Sequence, residues 1–281
     1  MRYKHIFGPV PSRRLGISLG VDLVVNKSCN LNCIFCECGA TDKIKKIRQR
    51  FKSIVEVKQE LKEVLKTIKP DYITFSGSGE PTLSKDLGEV IQFIKKDIKY
   101  SGKIALITNS VLLSDDEVIE EILDCDLIIP TLNTLQEDIF QKISRSEHIS
   151  IENIIKGLKN LSSSAYKGEI FLELFILNNI NDSRQNLEEL AQFISSIRYD
   201  KIQINTIARI GAEKNLKPVP KEKLKEIKKF LESKNLKNVE IIASLSEKNE
   251  EDKIEIDLDL YTNMIEKRKY SDEEIKKIYK K

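Results

Sequence analysis

Apolar residues follow two periods in turn between residues 17 and 243: short runs typical of buried strands, and longer segments in which they recur every three or four positions. The short runs predict strands at 17–25, 71–77, 103–109, 126–133, 169–177 and 201–207, and they allow a short last strand at 239–243. Helical periodicity predicts helices at 53–68, 85–98, 151–161, 183–197 and 221–234, and one that begins at Ser114. Capping boxes from Ser53 to Glu56 and from Ser114 to Glu117 mark two of these helix starts.

Regular alternation of strand and helix implies parallel strands joined by right-handed crossovers. Six such units are too few for a closed eight-stranded barrel. We therefore expect an α/β fold, a partial (β/α)6 TIM-like barrel over residues 1–243, with a doubly wound open sheet as the alternative. Residues 244–281 predict a charged linker and a short helical C-terminal tail, which either packs on the barrel or is a fragment of a helix-turn-helix.

Charge and composition exclude several classes of protein. The 281 residues include 47 Lys and Arg interspersed with 44 Asp and Glu, a mild basic bias that is not by itself a nucleic-acid-binding signature. No apolar run approaches about 18 residues, and the first residues lack the apolar core of a signal peptide. An odd count of five cysteines, four of them clustered, argues against a secreted disulfide framework. We expect a cytoplasmic, monomeric protein without a membrane partner.

Four of the five cysteines lie within ten positions, at Cys29, Cys33, Cys36 and Cys38. Three thiolates on a cube of four irons would leave one iron without a protein ligand, an open position like that of a catalytic zinc. A four-cysteine zinc site and a closed cluster with Cys38 as fourth ligand are the alternatives. The loop follows the first predicted strand, at the barrel mouth where active sites of parallel barrels lie.

The C-x3-C-x2-C spacing, with the aromatic Phe35 before the last cysteine, resembles the radical S-adenosylmethionine (SAM) superfamily. TFSGSGEPTL (74–83) resembles its glycine-rich GGE segment, which holds the methionine end of SAM, and ITNSVLL (107–113) resembles its TNG strand end. A subgroup of stand-alone iron–sulfur oxidoreductases, related to wybutosine-synthesising tRNA enzymes, is similar in further segments: GPVPSRRLGISLGVDL (8–23), FILNNINDS (175–183) and QINTIAR (203–209).

The resemblance implies a 4Fe–4S cluster on Cys29, Cys33 and Cys36, with SAM chelated at the fourth iron. It implies a radical SAM enzyme of oxidoreductase or transferase type, reduced by a donor such as flavodoxin or ferredoxin. SAM would be cleaved to methionine and a 5′-deoxyadenosyl radical, which abstracts hydrogen from a substrate, with an RNA base and tRNA as candidates. The chain departs from its relatives in having Asn133 where they carry a carboxylate, and it has too few cysteines for the second cluster of wybutosine enzymes.

Strand alternation predicts a polar lumen, because the aliphatic faces of the fifth and sixth strands would meet the helices and leave Glu173, Gln203 and Asn205 inside. Arg13, Arg14 and Lys27 could bind a carboxylate or phosphate of the substrate. No catalytic acid or base is assigned. The residues assigned to cofactor binding are Phe35, Gly77, Ser78, Gly79, Glu80, Asn109, Asn133, Glu173 and Asn205.

A small metabolite or a peptide is a further candidate substrate. Two other functions also remain open from the sequence. One is an activase that forms a glycyl radical on a partner enzyme. The other is a non-enzymatic iron–sulfur or zinc protein that binds nucleic acid through its C-terminal helices.

Overall fold

The computed structural model describes residues 3–41, 44–146, 148–242, 255, 257–267, 270–276 and 279, and within them eight strands pair in chain order into one sheet. β1 and β2 pair antiparallel, and every later neighbouring pair is parallel. The strands are β1 (Ile6–Ser12), β2 (Gly16–Val21), β3 (Tyr72–Phe75), β4 (Lys103–Thr108), β5 (Leu127–Pro130), β6 (Glu169–Phe175), β7 (Lys201–Asn205) and β8 (Val239–Ile241).

Helices follow the strands of the parallel part and cover its outer face. In the described residues they are α1 (Ile54–Val64), α2 (Leu87–Gln92), α3 (Asp116–Ile122), α4 (Glu137–Ser144), α5 (Ile151–Ser163), α6 (Arg184–Ile194), α7 (Lys221–Ser233), α8 (Leu258–Lys267) and α9 (Asp272–Lys276). Ser53 Oγ accepts a hydrogen bond from Glu56 N at 3.4 Å, which confirms the predicted start of α1. α3 starts one residue later than predicted, because Asp115 rather than Ser114 accepts from Glu117 N.

The six predicted strands are present as β2 to β7, and the short last strand is β8. They form the predicted partial (β/α)6 barrel, extended at one edge by β8 and at the other by β1. The sequence did not predict β1, whose residues IFGPVPS contain two prolines and a glycine, types that weaken a strand pattern. It did not predict α4 either, and the predicted helix 85–98 is two elements, α2 and a π-helical stretch over Phe93–Ile98.

The alternation predicted for β6 is confirmed. Leu172 and Leu174 face outward and pack in one apolar cluster with Leu187 and Leu190 of α6. The intervening Glu173 lies on the opposite face, toward the centre of the barrel. The helix-facing side of the sheet therefore supplies the hydrophobic core, and the concave side is left for polar groups.

The C-terminal helices pack against β1. Asn263 of α8 donates hydrogen bonds from Nδ2 to the carbonyl oxygens of Ile6 (2.6 Å) and Tyr3 (3.3 Å). Met264 is buried against Phe7, in the same cluster as Tyr279. The tail thus packs on the barrel, while the predicted linker at 244–253 lies outside the described residues. In the part of the chain that the structure describes, no helix has the length and apolar character needed to span a membrane.

Candidate active site

A cavity of about 320 Å³ lies at the carboxyl ends of the parallel strands. This is the end of a parallel barrel at which loops can converge on a ligand. Every residue predicted to form the site lines this one cavity, namely Arg13, Arg14, Lys27, Cys29, Cys33, Phe35, Cys36, Gly77, Ser78, Gly79, Glu80, Asn109, Asn133, Glu173 and Asn205.

The cysteine loop after β2 is held by short-range hydrogen bonds. Cys36 N donates to Cys33 O at 3.1 Å, and Lys45 N donates to Cys29 O at 2.8 Å, which returns the chain across the loop. The Cys29 sulfur lies 3.4 Å from Leu31 N and 3.5 Å from Asn109 Nδ2. These N–H groups favour a charged sulfur and are the kind of donor that tunes a bound cluster.

Burial works against the thiolate form of the same cysteines. It raises the pKa of Cys29, and it raises the pKa of Cys33 to about 12. A hydrogen bond with Cys38, together with burial, raises the pKa of Cys36. A bound cationic group would favour the thiolate form of these sulfurs, and soft thiolates select zinc, copper(I) or iron–sulfur clusters.

The distances between possible ligand side chains help to distinguish a site for one metal ion from a site for a cluster. Among the described residues, no three Cys, His, Asp or Glu side chains converge closely enough to hold one metal ion. A tetrahedral zinc would bring its thiolates to about 3.8 Å from one another. Three cysteines that share a cavity without that convergence fit a larger group with one thiolate on each of several irons.

Phe35 fixes the loop to the sheet. Its ring stacks on Phe175 of β6, with centroids 4.1 Å apart and planes inclined by 13°. A Cβ at Gly211 would lie 2.5 Å from the carbonyl oxygen of Phe35, so this close approach needs a glycine. Phe35 therefore sets the position of the neighbouring Cys36.

The glycine-rich segment after β3 lies directly against the cysteine loop. Glu80 N donates to Ser28 O at 3.0 Å, and a Cβ at Gly79 would lie 1.8 Å from that oxygen. Ser78 Oγ donates to Asp22 Oδ2 at 2.6 Å. The two segments can meet only because residue 79 has no side chain.

The Glu80 carboxylate is mostly engaged within the protein. Oε1 accepts from Thr82 N (3.1 Å), Thr82 Oγ1 (2.7 Å) and Thr108 Oγ1 (2.7 Å), and Oε2 accepts from Asn109 N (2.8 Å). Burial raises the pKa of Glu80, while these hydrogen bonds act in the opposite direction. Glu80 thus joins the ends of β3 and β4, and Oε2 keeps a lone pair for a further donor.

Two of the three asparagines predicted to bind the cofactor are held by hydrogen bonds from backbone N–H groups. Asn109 Oδ1 accepts from Val111 N at 3.1 Å, and Asn133 Oδ1 accepts from Phe175 N at 2.9 Å. Ser110 has a φ of 73°, in the left-handed region that favours glycine. The similar TNG motif has its glycine at this position, and here a serine adopts the left-handed backbone conformation that favours glycine.

Glu173 has internal partners. Arg14 Nη2 and Asn205 Nδ2 (3.0 Å) donate to Oε1, and Thr131 Oγ1 donates to Oε2 at 3.1 Å. Burial by itself would raise the pKa of Glu173, but Arg14 and these hydrogen bonds outweigh it and hold the pKa below its usual value. Glu173 is therefore a charged anchor for Arg14 and Asn205, and the ion pair joins the β1–β2 turn to β6.

Arg209, which sequence reasoning did not select, also lines the cavity. Its Nη1 donates to Glu37 Oε2 at 3.1 Å, and its Nη2 donates to Glu274 of α9. The guanidinium lies 4.7 Å from the ring centroid of Tyr270. Arg209 is the last residue of the segment QINTIAR, just beyond β7, and this position after a strand end was the sequence feature that could have identified it.

A sequence profile of the radical SAM superfamily matches residues 23–194. A UPF0026 protein of Methanocaldococcus jannaschii is 33% identical over 216 residues, which are 75% of this chain and 66% of that protein. A protein named GTPase Obg from Brachyspira hyodysenteriae is 38% identical over 237 residues, 83% of this chain. This chain spans only 34% of that protein, and its sequence contains no G-x4-G-K-S/T phosphate-binding motif.

A more distant protein is similar in part of its sequence, and a solved structure is similar in fold. The dual-specificity RNA methyltransferase RlmN of Buchnera aphidicola (subsp. Acyrthosiphon pisum) is 28% identical over 181 residues, 60% of this chain and 48% of that protein. The solved structure of TYW1 with a lysine-pyruvate adduct superposes with a TM-score of 0.57 at 18% identity, covering 81% of this chain and 76% of that one. The profile match covers more than half of this chain, so the chain belongs to the radical SAM superfamily, whose cofactors are a 4Fe–4S cluster and SAM.

Proposed function

We propose that this protein is a radical SAM enzyme in which Cys29, Cys33 and Cys36 hold the cluster and the cavity holds SAM beside it. When bound and reduced, the cluster would supply the electron for cleavage of SAM to methionine and a 5′-deoxyadenosyl radical, which would abstract hydrogen from the substrate. The observation that carries the proposal is that the cysteine triad, the glycine-rich segment and the β4 strand end line one cavity.

The residues of the chain bind and orient. Glu80 Oε2 would accept a hydrogen bond from the amino group of SAM. Gly77 and Gly79, where a Cβ would meet Asp22 and Ser28, let the glycine-rich segment pack beside the cysteine loop and form the wall at the methionine end of SAM. Asn109 and Asn133 present amide groups to the remaining polar groups of SAM. Asn205 and Asn133 are held rigidly by their own hydrogen bonds, so no reorganisation is needed when the ligand binds.

The lumen also protects the reaction. Phe35 and Phe175 form an apolar wall beside the cysteine loop, and the tail residue Tyr270 lines the mouth. Exclusion of water from the cavity would prevent side reactions of a reactive species. The protein contributes positioning and exclusion of water, and the cofactors contribute the bond-breaking chemistry.

An RNA base is the substrate that we put first. The RlmN relative is named as an RNA methyltransferase, and the chain resembles enzymes of tRNA wybutosine synthesis. Binding of bulk tRNA that weakens steeply with salt, and a rise in SAM cleavage when tRNA is added, would support this choice. A tight stoichiometric protein complex would instead favour the glycyl-radical activase, and a saturated metal site that ignores SAM would favour the non-enzymatic alternative.

The electron donor would dock beside the cysteine loop. Residues 44–50 lie against this loop through the hydrogen bond from Lys45 N to Cys29 O, and within them Lys46 and the apolar Ile47 are exposed, Ile47 by 76%. A basic surface with an apolar residue is complementary to an acidic electron-transfer protein of the flavodoxin or ferredoxin type. An electron donor bound at this surface could reduce the cluster without entering the substrate cavity.

Lys46→Glu is therefore expected to slow cluster reduction by flavodoxin several-fold, because charge reversal at an interface rim lowers the rate of encounter. Reduction by dithionite, a small reagent, should be unchanged. Stopped-flow absorbance of the cluster measures both rates. Lys96→Glu, an exposed change in the π-helical stretch, is the control. Equal slowing by both variants, or none by Lys46→Glu, would place the donor elsewhere.

The direct test of the proposed function is 5′-deoxyadenosine formation by the reconstituted protein with SAM and dithionite. Formation of this product supports a cluster open to SAM. If the full iron and sulfide complement is present but neither SAM cleavage nor SAM binding to the cluster is detected, the cluster is closed and the proposal fails.

Gly79→Ala is expected to lose most of the SAM cleavage, because its Cβ would lie 1.8 Å from Ser28 O and force the glycine-rich segment away from the cysteine loop. A displacement of about 1 Å can cost on the order of 100-fold in rate. The same assay measures it. Gly102→Ala is the matched control, since its Cβ would first meet the outer end of the Tyr100 side chain, away from the cavity. Full activity of Gly79→Ala would show that this contact does not position SAM.

A further inference from the structure

Three arginines lie together at the mouth of the cavity. Arg13 and Arg14 come from the β1–β2 turn and Arg209 from the end of β7, and all three line the cavity. Arg14 is engaged with Glu173, and Arg209 with Glu37 and Glu274. Arg13 makes no hydrogen bond or ion pair with any residue that the structure describes.

Each of the two paired arginines, Arg14 and Arg209, also has a buried nitrogen without a hydrogen-bond partner among the described residues. These nitrogens are Nη1 of Arg14 and Nε of Arg209. Each side chain is only 13% exposed. Buried donors almost always have a partner. Two orphaned N–H groups, beside an Arg13 guanidinium that makes no hydrogen bond to a described residue, therefore indicate an acceptor that the described residues do not provide.

Electrostatics in the cluster favour the same kind of ligand. Burial, followed by the positive charges of Arg209 and Arg14, lowers the pKa of Arg13, and the carboxylates of Glu37 and Glu274 offset this only in part. The three positive charges thus repel one another, and an anion bound between them would offset this repulsion. Guanidinium groups bind carboxylate and phosphate through paired N–H donors.

We propose that Arg13, with Nη1 of Arg14 and Nε of Arg209, binds an anionic group of the substrate, a phosphate or a carboxylate. This inference rests on the proposed function and extends it to the class of substrate. Because Arg14 also holds Glu173 on the lumen wall, the anionic group lies at the mouth and the rest of the substrate extends inward. The arginines then fix which atom of the substrate faces the cofactors.

Isothermal titration of the cluster-loaded protein with SAM present tests this, since the SAM site is then filled. The phosphate arm uses inorganic phosphate and guanosine 5′-monophosphate, the carboxylate arm uses pyruvate and citrate, and chloride is the reference anion. We expect one arm to bind above chloride, and Arg13→Gln to weaken that binding by about tenfold or more, the value of a lost charged hydrogen bond. Arg184→Gln, which changes a 67% exposed arginine, should leave it unchanged.

The arm that binds identifies the chemical source of the anion. Binding by neither arm, or equal binding by the native protein and Arg13→Gln, would overturn the inference. Iron content and 5′-deoxyadenosine formation, measured on the same native preparation, report on the proposed function separately. An active, cluster-loaded protein that binds neither anion class would therefore refute the anion site alone.

Discussion

Cys33→Ala is expected to abolish 5′-deoxyadenosine formation and to lower the iron and sulfide content of the anaerobically purified protein. With two thiolates instead of three, the cluster loses a ligand in a site where burial already opposes the charged form of the remaining sulfurs. The loss should exceed about 100-fold, because changes to outer-shell partners of a metal site alone can reach that value. Iron and sulfide analysis, followed by product chromatography, measures both effects.

Cys38→Ala is the matched control for Cys33→Ala. Cys38 also lines the cavity, and its thiol donates a hydrogen bond to Gly77 O at 3.1 Å. We expect this variant to keep its cluster and most of its activity. Loss of cluster in Cys38→Ala to the same degree as in Cys33→Ala would make Cys38 a fourth ligand and the cluster a closed one.

Glu173→Ala is expected to destabilise the protein by about 3–5 kcal/mol, the cost of leaving a buried charge without its partner. The charge left behind is Arg14, which is 13% exposed and already has one orphaned nitrogen. The midpoint of urea unfolding of the cluster-loaded protein measures the effect. The double change Arg14→Met with Glu173→Leu should recover part of the lost stability. If the double change costs as much as the single changes Arg14→Met and Glu173→Leu added together, a direct ion pair between the two residues is contradicted.

The same comparison has a predicted pH dependence. The pKa of Glu173 is lower in the folded protein than its usual value of 4.5, so its stabilising effect is complete above about pH 4.5. It is lost as the pH falls through the lowered value, where protonation removes the attraction to Arg14. The difference in unfolding free energy between the native protein and Glu173→Ala should therefore decrease only below about pH 4.5. A difference that does not change with pH would show that the Glu173 charge is not the cause of the destabilisation.

Local patterns were sufficient to predict the barrel and much of the site. Continuous apolar runs located β2 to β7, and the period of two in β6 placed Glu173 inside because its neighbours Leu172 and Leu174 had to meet helices. The spacing of Cys29, Cys33 and Cys36 is local as well, so the candidate ligands could be named before their positions in space were known.

The features that the sequence did not reveal depend on contacts between distant parts of the chain. β1 is stabilised by pairing with β2 and by Asn263, more than 250 residues away, and its own prolines argue against a strand. Arg209 becomes part of the site only because Glu37 and Glu274 hold it there. The partners of Glu80 and Glu173 could not be predicted either, since hydrogen bonds across a lumen leave no periodic signal along the chain.

Electron paramagnetic resonance of the reduced cluster, with and without SAM labelled at its amino nitrogen, tests the central claim most directly. If three cysteines hold the cluster and leave one iron open, SAM should change the spectrum, and the labelled nitrogen should show a hyperfine coupling. The same result is expected for Cys38→Ala. A native spectrum that SAM leaves unchanged, from protein with a full iron and sulfide complement, would contradict the account.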